Sequence, residues 1–449
     1  MAASCVSHRW AIFAFASLFA ACSPNVRAPI PLPASDGAAR SHATGAGKIK
    51  HVVYVVQENR SFDDLFQGYP GADTVSSGKD SKGGKIVLRS VSLATKYELD
   101  HSAHAMFEDC HGTTPGRHCA MDGFDKEEVF DGPRGVKYPM YVYVPHSETK
   151  PYFDMAHEWV LSDRTFASQL DESFVAHQYI IAAQADSSVN VPLGQWGCGG
   201  NSYDLVATIT QARKVQSPNQ PPCFDYQTLG DELDAAGLDW RFYTSRYGDP
   251  SSGALWSGYQ AVEHIYDGPD WAKVVTPQQR FLTDVGKGKL AAFTWITPIC
   301  MNSDHPDCGG GDGPSWVTSI VNAVGKSKFW NDTAIFVQWD DWGGLYDHVP
   351  PPYKNYDSLG FRVPLLVISP YAKAGYVSHV QYETASVLRF AEDLFGLAQL
   401  SAADRRATSP AGDCFDFTQR PRTFVPIKAP KEPSYFFHQP LDLRPPDSG

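Results

Sequence analysis

The most apolar run of this chain ends in two adjacent carboxylates. In "TAIFVQWDDWGGLYDHVPPP" (333–352) an uncharged stretch runs straight into Asp340 and Asp341, followed by Gly343, Gly344, Asp347 and His348. Neighbouring carboxylates withdrawn from water repel strongly unless a cation neutralises them. A second apolar run, "HVVYVVQEN" (51–59), ends in Glu58 and Asn59. Oxygen donors of this kind suit a hard divalent cation. For an Asp-Asp pair taken alone, the alternative is a capped turn with Asp347 pairing locally.

A nucleophile candidate stands in "LDESFVAHQYIIAAQA", where Ser173 opens a helical pattern of apolar and small residues. A Ser in that place is commonly only an N-cap. The same place also suits an attacking oxygen, because free backbone N–H groups and the helix dipole favour negative charge there. His177 lies at i+4 and shares its face. Further histidines stand near acids: His101 after Asp100, His305 after Asp304 in "SDHPD", and His348 in "YDHVPP". Such groups suit phosphate-oxygen contacts and protonation of a leaving group, although a lone His is more often structural. His264 in "AVEHIYD" is a weaker candidate of the same kind.

These residues need a frame that brings them to one edge. Strand-like runs recur at 51–59, 157–163, 238–245, 290–298, 333–341 and 363–370, with helical patterns at 176–185, 226–237, 315–327 and 383–396. Apolar strands alternating with helices predict an α/β fold, a mostly parallel sheet covered by helices on both faces. Open sheets of this kind place ligands beyond the carboxyl ends of their strands, where the polar residues above fall. Segments 66–150 and 186–225 are rich in Gly, Pro and Cys and read as insertions forming a loop-rich cap. The Pro-rich last thirty-five residues are expected to wrap the surface.

With 449 residues the chain has ample length for one large core. Its formal net charge of -12 argues against nucleic acid as a partner. Arg9, the apolar "WAIFAFASLFAA" and Cys22 read as a signal peptide over 1–22. "FAAC" resembles a bacterial lipobox, which makes Cys22 a lipidation candidate and a membrane anchor. The alternative is a secreted chain with an incidental Cys. Residues 23–47 read as a flexible tether, leaving 48–449 as the catalytic domain. Export to the periplasm, to the outer membrane as a lipoprotein, or to the exterior favours disulfides. Cys110/Cys119 and Cys300/Cys308 are the first choices, Cys198/Cys223 a further one, with Cys414 left over.

Four stretches in order resemble a known family: "VVYVVQENRSFDDLFQGYPGAD", "LSDRTFASQLDESFVAHQY", "FVQWDDWGGLYDHVPPP" and "GFRVPLLVISPYAKAGYVSH". They resemble the bacterial phosphoesterase family of phospholipases C and acid phosphatases, in the alkaline-phosphatase-like superfamily, from about residue 48 to about residue 400. The resemblance implies one divalent metal on Glu58, Asn59, Asp340 and Asp341, with Ser173 as nucleophile and further ligand. It implies His101, His305 and His177 as catalytic groups at the phosphoryl group, with Asp304 in the same segment as His305. His348, Asp304 and His264 are expected on the substrate side. The chain departs from the family at Glu172 and at Val175-Ala176, where Pro and Pro-Asn are usual, so a phosphate contact is lost and a carboxylate added. The expected activity is hydrolysis of a phosphate ester, small molecule or lipid head group, through a phosphoserine. An acid-phosphatase-like enzyme comes first, a phospholipase C second, and an inactive ligand-binding surface lipoprotein third.

Overall fold

The computed structural model of the chain describes residues 44–245 and 256–440. Segment 1–22 with Cys22, and residues 23–43 of the expected tether, lie outside the described residues. Eight strands form the main sheet: His51–Gln57 (β1), Val160–Ser162 (β2), Trp240–Tyr243 (β3), Val274–Val275 (β4), Phe293–Ile296 (β5), Thr333–Trp339 (β6), Leu365–Ile368 (β7) and Tyr376–Ser378 (β8). Their order is β4-β3-β5-β1-β6-β7-β2-β8. β7 runs antiparallel to β6 and β2, and every other pairing is parallel.

The helices that matter for the site are Phe62–Phe66 (α1), Ala103–Cys110 (α2), His146–Glu158 (α3), Ser173–Ala182 (α4), Leu229–Ala235 (α5), Gly313–Gly325 (α6) and Ala385–Phe395 (α7). Side chains alternate across β6, and its contacts separate the helices by face. Trp339 meets Tyr152 of α3 edge-on at 4.9 Å, whereas Phe336 meets Phe390 of α7 at 5.0 Å. All seven residues of β6 are buried, as cover on both faces requires.

Two boundaries differ from the sequence reading. The run at 157–163 is a strand only from Val160, because α3 continues to Glu158. Its buried residues Thr149, Tyr152, Met155 and Ala156 recur at helical spacing. Helix α4 starts at Ser173, ahead of the expected 176. Glu172 takes the cap position without a side-chain capping bond, so Ser173 is the first helical residue and not an N-cap.

A second buried cluster lies apart from the sheet's core. It joins Tyr97, Leu99, Met106, Phe124 and Tyr141 to Trp342, Tyr346 and Phe361, with Val189, Ala207 and Ile209 from the later insertion. The loop after β6 is thereby packed under residues 97–141. Disulfides Cys110–Cys119, Cys198–Cys223 and Cys300–Cys308 form as expected, and Cys414 is free and buried. The C-terminal segment crosses α6: Asn322 exchanges hydrogen bonds with Ile427 at 2.8 and 3.0 Å, and Phe436 packs on Trp316. Among the described residues no helix is long and apolar enough to cross a membrane.

Candidate active site

Strands β1 and β6 are adjacent, parallel and in register, with Gln57 opposite Trp339. The residues that follow each strand therefore emerge side by side, Glu58-Asn59 next to Asp340-Asp341. Asn59 adopts a left-handed backbone, φ 54°, and its N–H donates to Asp340 Oδ1 at 2.9 Å. Gly343 lies against this turn, where a Cβ would fall 2.5 Å from the Asn59 carbonyl oxygen. Glu58, Asn59, Asp340 and Asp341 are all buried.

Helix α4 delivers Ser173 into this group. Its Oγ lies 3.1 Å from Asn59 Oδ1 and 3.4 Å from both Glu58 Oε2 and Asp341 Oδ2. A hydroxyl has one proton, so at most one of these approaches is a full hydrogen bond and the others set oxygen against oxygen. Asp340 Oδ2 is buried with no hydrogen-bond partner. Converging anionic donors and an orphaned carboxylate oxygen fit a divalent cation.

Each of the three histidines near this group is oriented through its Nδ1. His101 Nδ1 lies 2.9 Å from the Leu99 carbonyl oxygen, so it carries the proton, and Nε2 accepts from Asn59 Nδ2 at 2.9 Å. The amide is thereby turned with Oδ1 toward Ser173. His305 Nδ1 accepts from the Asp307 N–H at 3.1 Å, which puts the proton of a neutral ring on Nε2. Its ring lies 6.4 Å from that of His101 and 6.2 Å from Trp256. His177 Nδ1 lies 2.9 Å from the Trp256 carbonyl oxygen, and Nε2 lies 3.1 Å from Glu58 Oε1. Glu58, His177 and Asp340 each offer a ligand atom within 4.8 Å of the other two. The i+4 spacing from Ser173 signals His177's direction, but nothing in the sequence signals the Trp256 carbonyl that turns its ring.

The acids before Ser173 turn away from it. Glu172 accepts the Val191 N–H, and Asp171 accepts the Asn190 N–H at 2.6 Å. Burial raises the pKa of Asp171 to about 7.

Three expected substrate residues have other partners. The Asp304 carboxylate takes Tyr152 Oη at 2.6 Å, Trp339 Nε1 at 3.2 Å and Gln57 Nε2 at 3.3 Å. It pins the loop carrying His305 to the sheet, and burial raises its pKa to about 6. His348 pairs with Asp63 at 2.6 Å and Asp73 at 3.1 Å, in a network where Arg362 holds Asp347 at 3.0 Å and Asp63 at 3.4 Å. That group also has metal-like spacing, but Arg362 already supplies the neutralising charge. Burial lowers the pKa of His348, and the hydrogen bond and charge of Asp63 outweigh this to give a net rise. His264 lies between Asp225 and Asp231 at 2.6 and 2.9 Å, a partly exposed ion-pair site on a different helix.

Known proteins resemble this chain. The family model described as "Phosphoesterase family" matches residues 49–398. Non-specific phospholipase C1 of Arabidopsis thaliana is 26% identical, over 86% of this chain and 74% of its own length. Non-hemolytic phospholipase C of Pseudomonas aeruginosa is 24% identical over 84% of this chain and 57% of its own length. Phospholipase C A of Mycobacterium tuberculosis is 23% identical over 78% of this chain and 73% of its own. With a match spanning most of the sheet and every strand end described above, the chain belongs to the Phosphoesterase family and is a phosphate ester hydrolase.

Proposed function

We propose that Ser173 attacks phosphodiesters of the phospholipase C type at a single divalent cation held by Glu58, Asn59, Asp340 and Asp341, with Ser173 as a further ligand. The observation that carries this reading is the convergence of Glu58, Asn59 and Asp341 oxygens on Ser173 Oγ at 3.1–3.4 Å. Bound there, a divalent cation supplies Lewis acidity for the phosphoryl oxygens and favours the ionised nucleophile.

The chain's own residues do the rest. The Ser173 proton passes to a carboxylate of Glu58 or Asp341, each 3.4 Å away. Oγ bonds to phosphorus as the ester oxygen leaves, and His305 Nε2–H protonates that leaving alcohol. His305, now the base, takes a proton from the water that attacks phosphorus, the P–Oγ bond breaks, and the carboxylate returns its proton to Ser173 Oγ. His101 stays neutral and holds Asn59. Segments 66–150 and 186–225 act as a cap that excludes bulk water, which strengthens every charge interaction inside. Cys22, as a lipidated residue after export, would keep the chain at a membrane.

Charge favours the diester. Glu58, Asp340 and Asp341 carry more negative charge than one divalent cation neutralises, and a diester brings one negative charge where a monoester brings up to two. The phospholipase C names of the relatives point the same way. The test is turnover of para-nitrophenyl phosphorylcholine beside para-nitrophenyl phosphate, for the full chain and for Ser173→Ala. Turnover of the choline diester, lost in the variant, is the expected result. Turnover of the monoester alone would establish the acid-phosphatase-like reading instead. Full activity in Ser173→Ala would remove the nucleophile assignment.

A further inference from the structure

His177 brings a nitrogen to a centre otherwise made of oxygen. Its Nδ1 faces the Trp256 carbonyl oxygen at 2.9 Å, and a carbonyl only accepts, so Nδ1 carries a proton. A neutral ring then turns the Nε2 lone pair toward Glu58 Oε1 and Oε2, at 3.1 and 3.4 Å, and toward Asp340 Oδ2 at 3.8 Å. His177, Glu58 and Asp340 are all buried. A lone pair set against two carboxylates away from water is repulsive unless a positive charge lies among them. Metal–nitrogen and metal–oxygen bonds of about 2 Å let ligand atoms up to about 4 Å apart share one ion. These separations lie inside that reach, and Asp340 Oδ2 has no hydrogen-bond partner.

We infer that His177 is a ligand of the active-site metal, oriented by the Trp256 carbonyl, and that it biases the centre toward a first-row transition ion such as zinc over calcium and magnesium. The inference rests on the metal-dependent reading above and gives His177 a place among the metal ligands beside its expected catalytic role. Imidazole suits zinc, iron and nickel, whereas carboxylates, carbonyls and water suit calcium and magnesium. The carbonyl behind the ring fixes tautomer and direction, the arrangement metal-bound histidines generally have.

Two measurements on the full chain test this. In the first, wild type and His177→Gln are dialysed against an equimolar mixture of zinc, calcium and magnesium, and bound metal is counted by mass spectrometry. Wild type retains zinc, and the variant loses at least about tenfold of that preference. An unchanged ratio in the folded variant overturns the inference. The second measurement needs no variant: NMR of the 15N-histidine-labelled chain loaded with 113Cd. Scalar coupling between cadmium and one histidine nitrogen is expected. Bound cadmium without such coupling overturns the role of His177, leaves the metal centre intact and points to an imidazolium–Glu58 ion pair. A chain that retains no metal overturns both this inference and the metal-dependent reading.

Discussion

At the scale of the residue, Asn59 shows how little slack the site has. Its left-handed backbone and the Gly343 approach fix its Cα, its N–H is spent on Asp340, and its amide nitrogen is spent on His101. Only Oδ1 is left for Ser173. His101→Ala frees that amide to rotate, so metal affinity and kcat should fall together by about 10–100-fold. His101→Gln, which keeps an acceptor, should recover part of both. Metal competition titration beside steady-state kinetics checks this, and unchanged affinity in the Ala variant would contradict it. Glu58, Asn59, Asp340 and Asp341 were legible in the sequence because charge at the end of an apolar run has few other reasons to be there. His348 and Asp304 also stood out among neighbouring acids and histidines, yet their partners are Asp63 and Tyr152, 285 and 152 positions away, which no local pattern discloses.

At the scale of the element, Arg362 ties the start of β7 to α1 and to the loop after β6. It is fully buried, holds Asp347 and Asp63, and donates through Nη1 to the Asp73 and Asp163 carbonyl oxygens at 2.9 Å. Arg362→Ala leaves the buried Asp347 carboxylate without its cation and Asp63 with His348 alone, and should cost about 3–5 kcal/mol of unfolding free energy, read by chemical denaturation. Segment 66–150 carries a different kind of pair. Asp109 at the end of α2 and Glu127 are both buried, and burial raises both pKa values well above the ordinary 3.8 and 4.5, Glu127 further through the charge of Asp109. A raised folded value means the folded state holds the proton more tightly. The pair's contribution is therefore complete below about pH 4 and is lost as pH rises above the ordinary values. Glu127→Gln should flatten the decline of melting temperature between pH 5 and 8, and an unchanged slope would rule the pair out as its source. Six of the sheet's eight strands were legible because their apolar runs are long, whereas β4 and β8, of two and three residues, were not. The early end of the strand reading at 157 was not, since α3 and β2 abut with a single residue, Trp159, between them.

At the scale of the whole molecule, three disulfides staple segments outside the sheet. Cys198–Cys223 closes a separation of 25 residues, and replacing both by Ser should cost about 3–4 kcal/mol through the loop entropy returned to the unfolded chain. Denaturant midpoints with an unchanged slope are the check. The spacing of the cysteines made the short loops legible and left this longer pairing less so. The register of β1 has a consequence in time. β1 lies at the centre of the sheet, and its partners β5 and β6 come more than 230 residues later in the chain. Asn59 meets Asp340 across 281 positions. During synthesis the first donors wait, unpaired, until almost everything else has been made, because a non-local pairing forms only after its loop is closed. A chain halted before residue 341 holds an incomplete donor set on an incomplete sheet. The four expected donors therefore come together only after synthesis has passed residue 341, and only on a sheet whose central strands have paired.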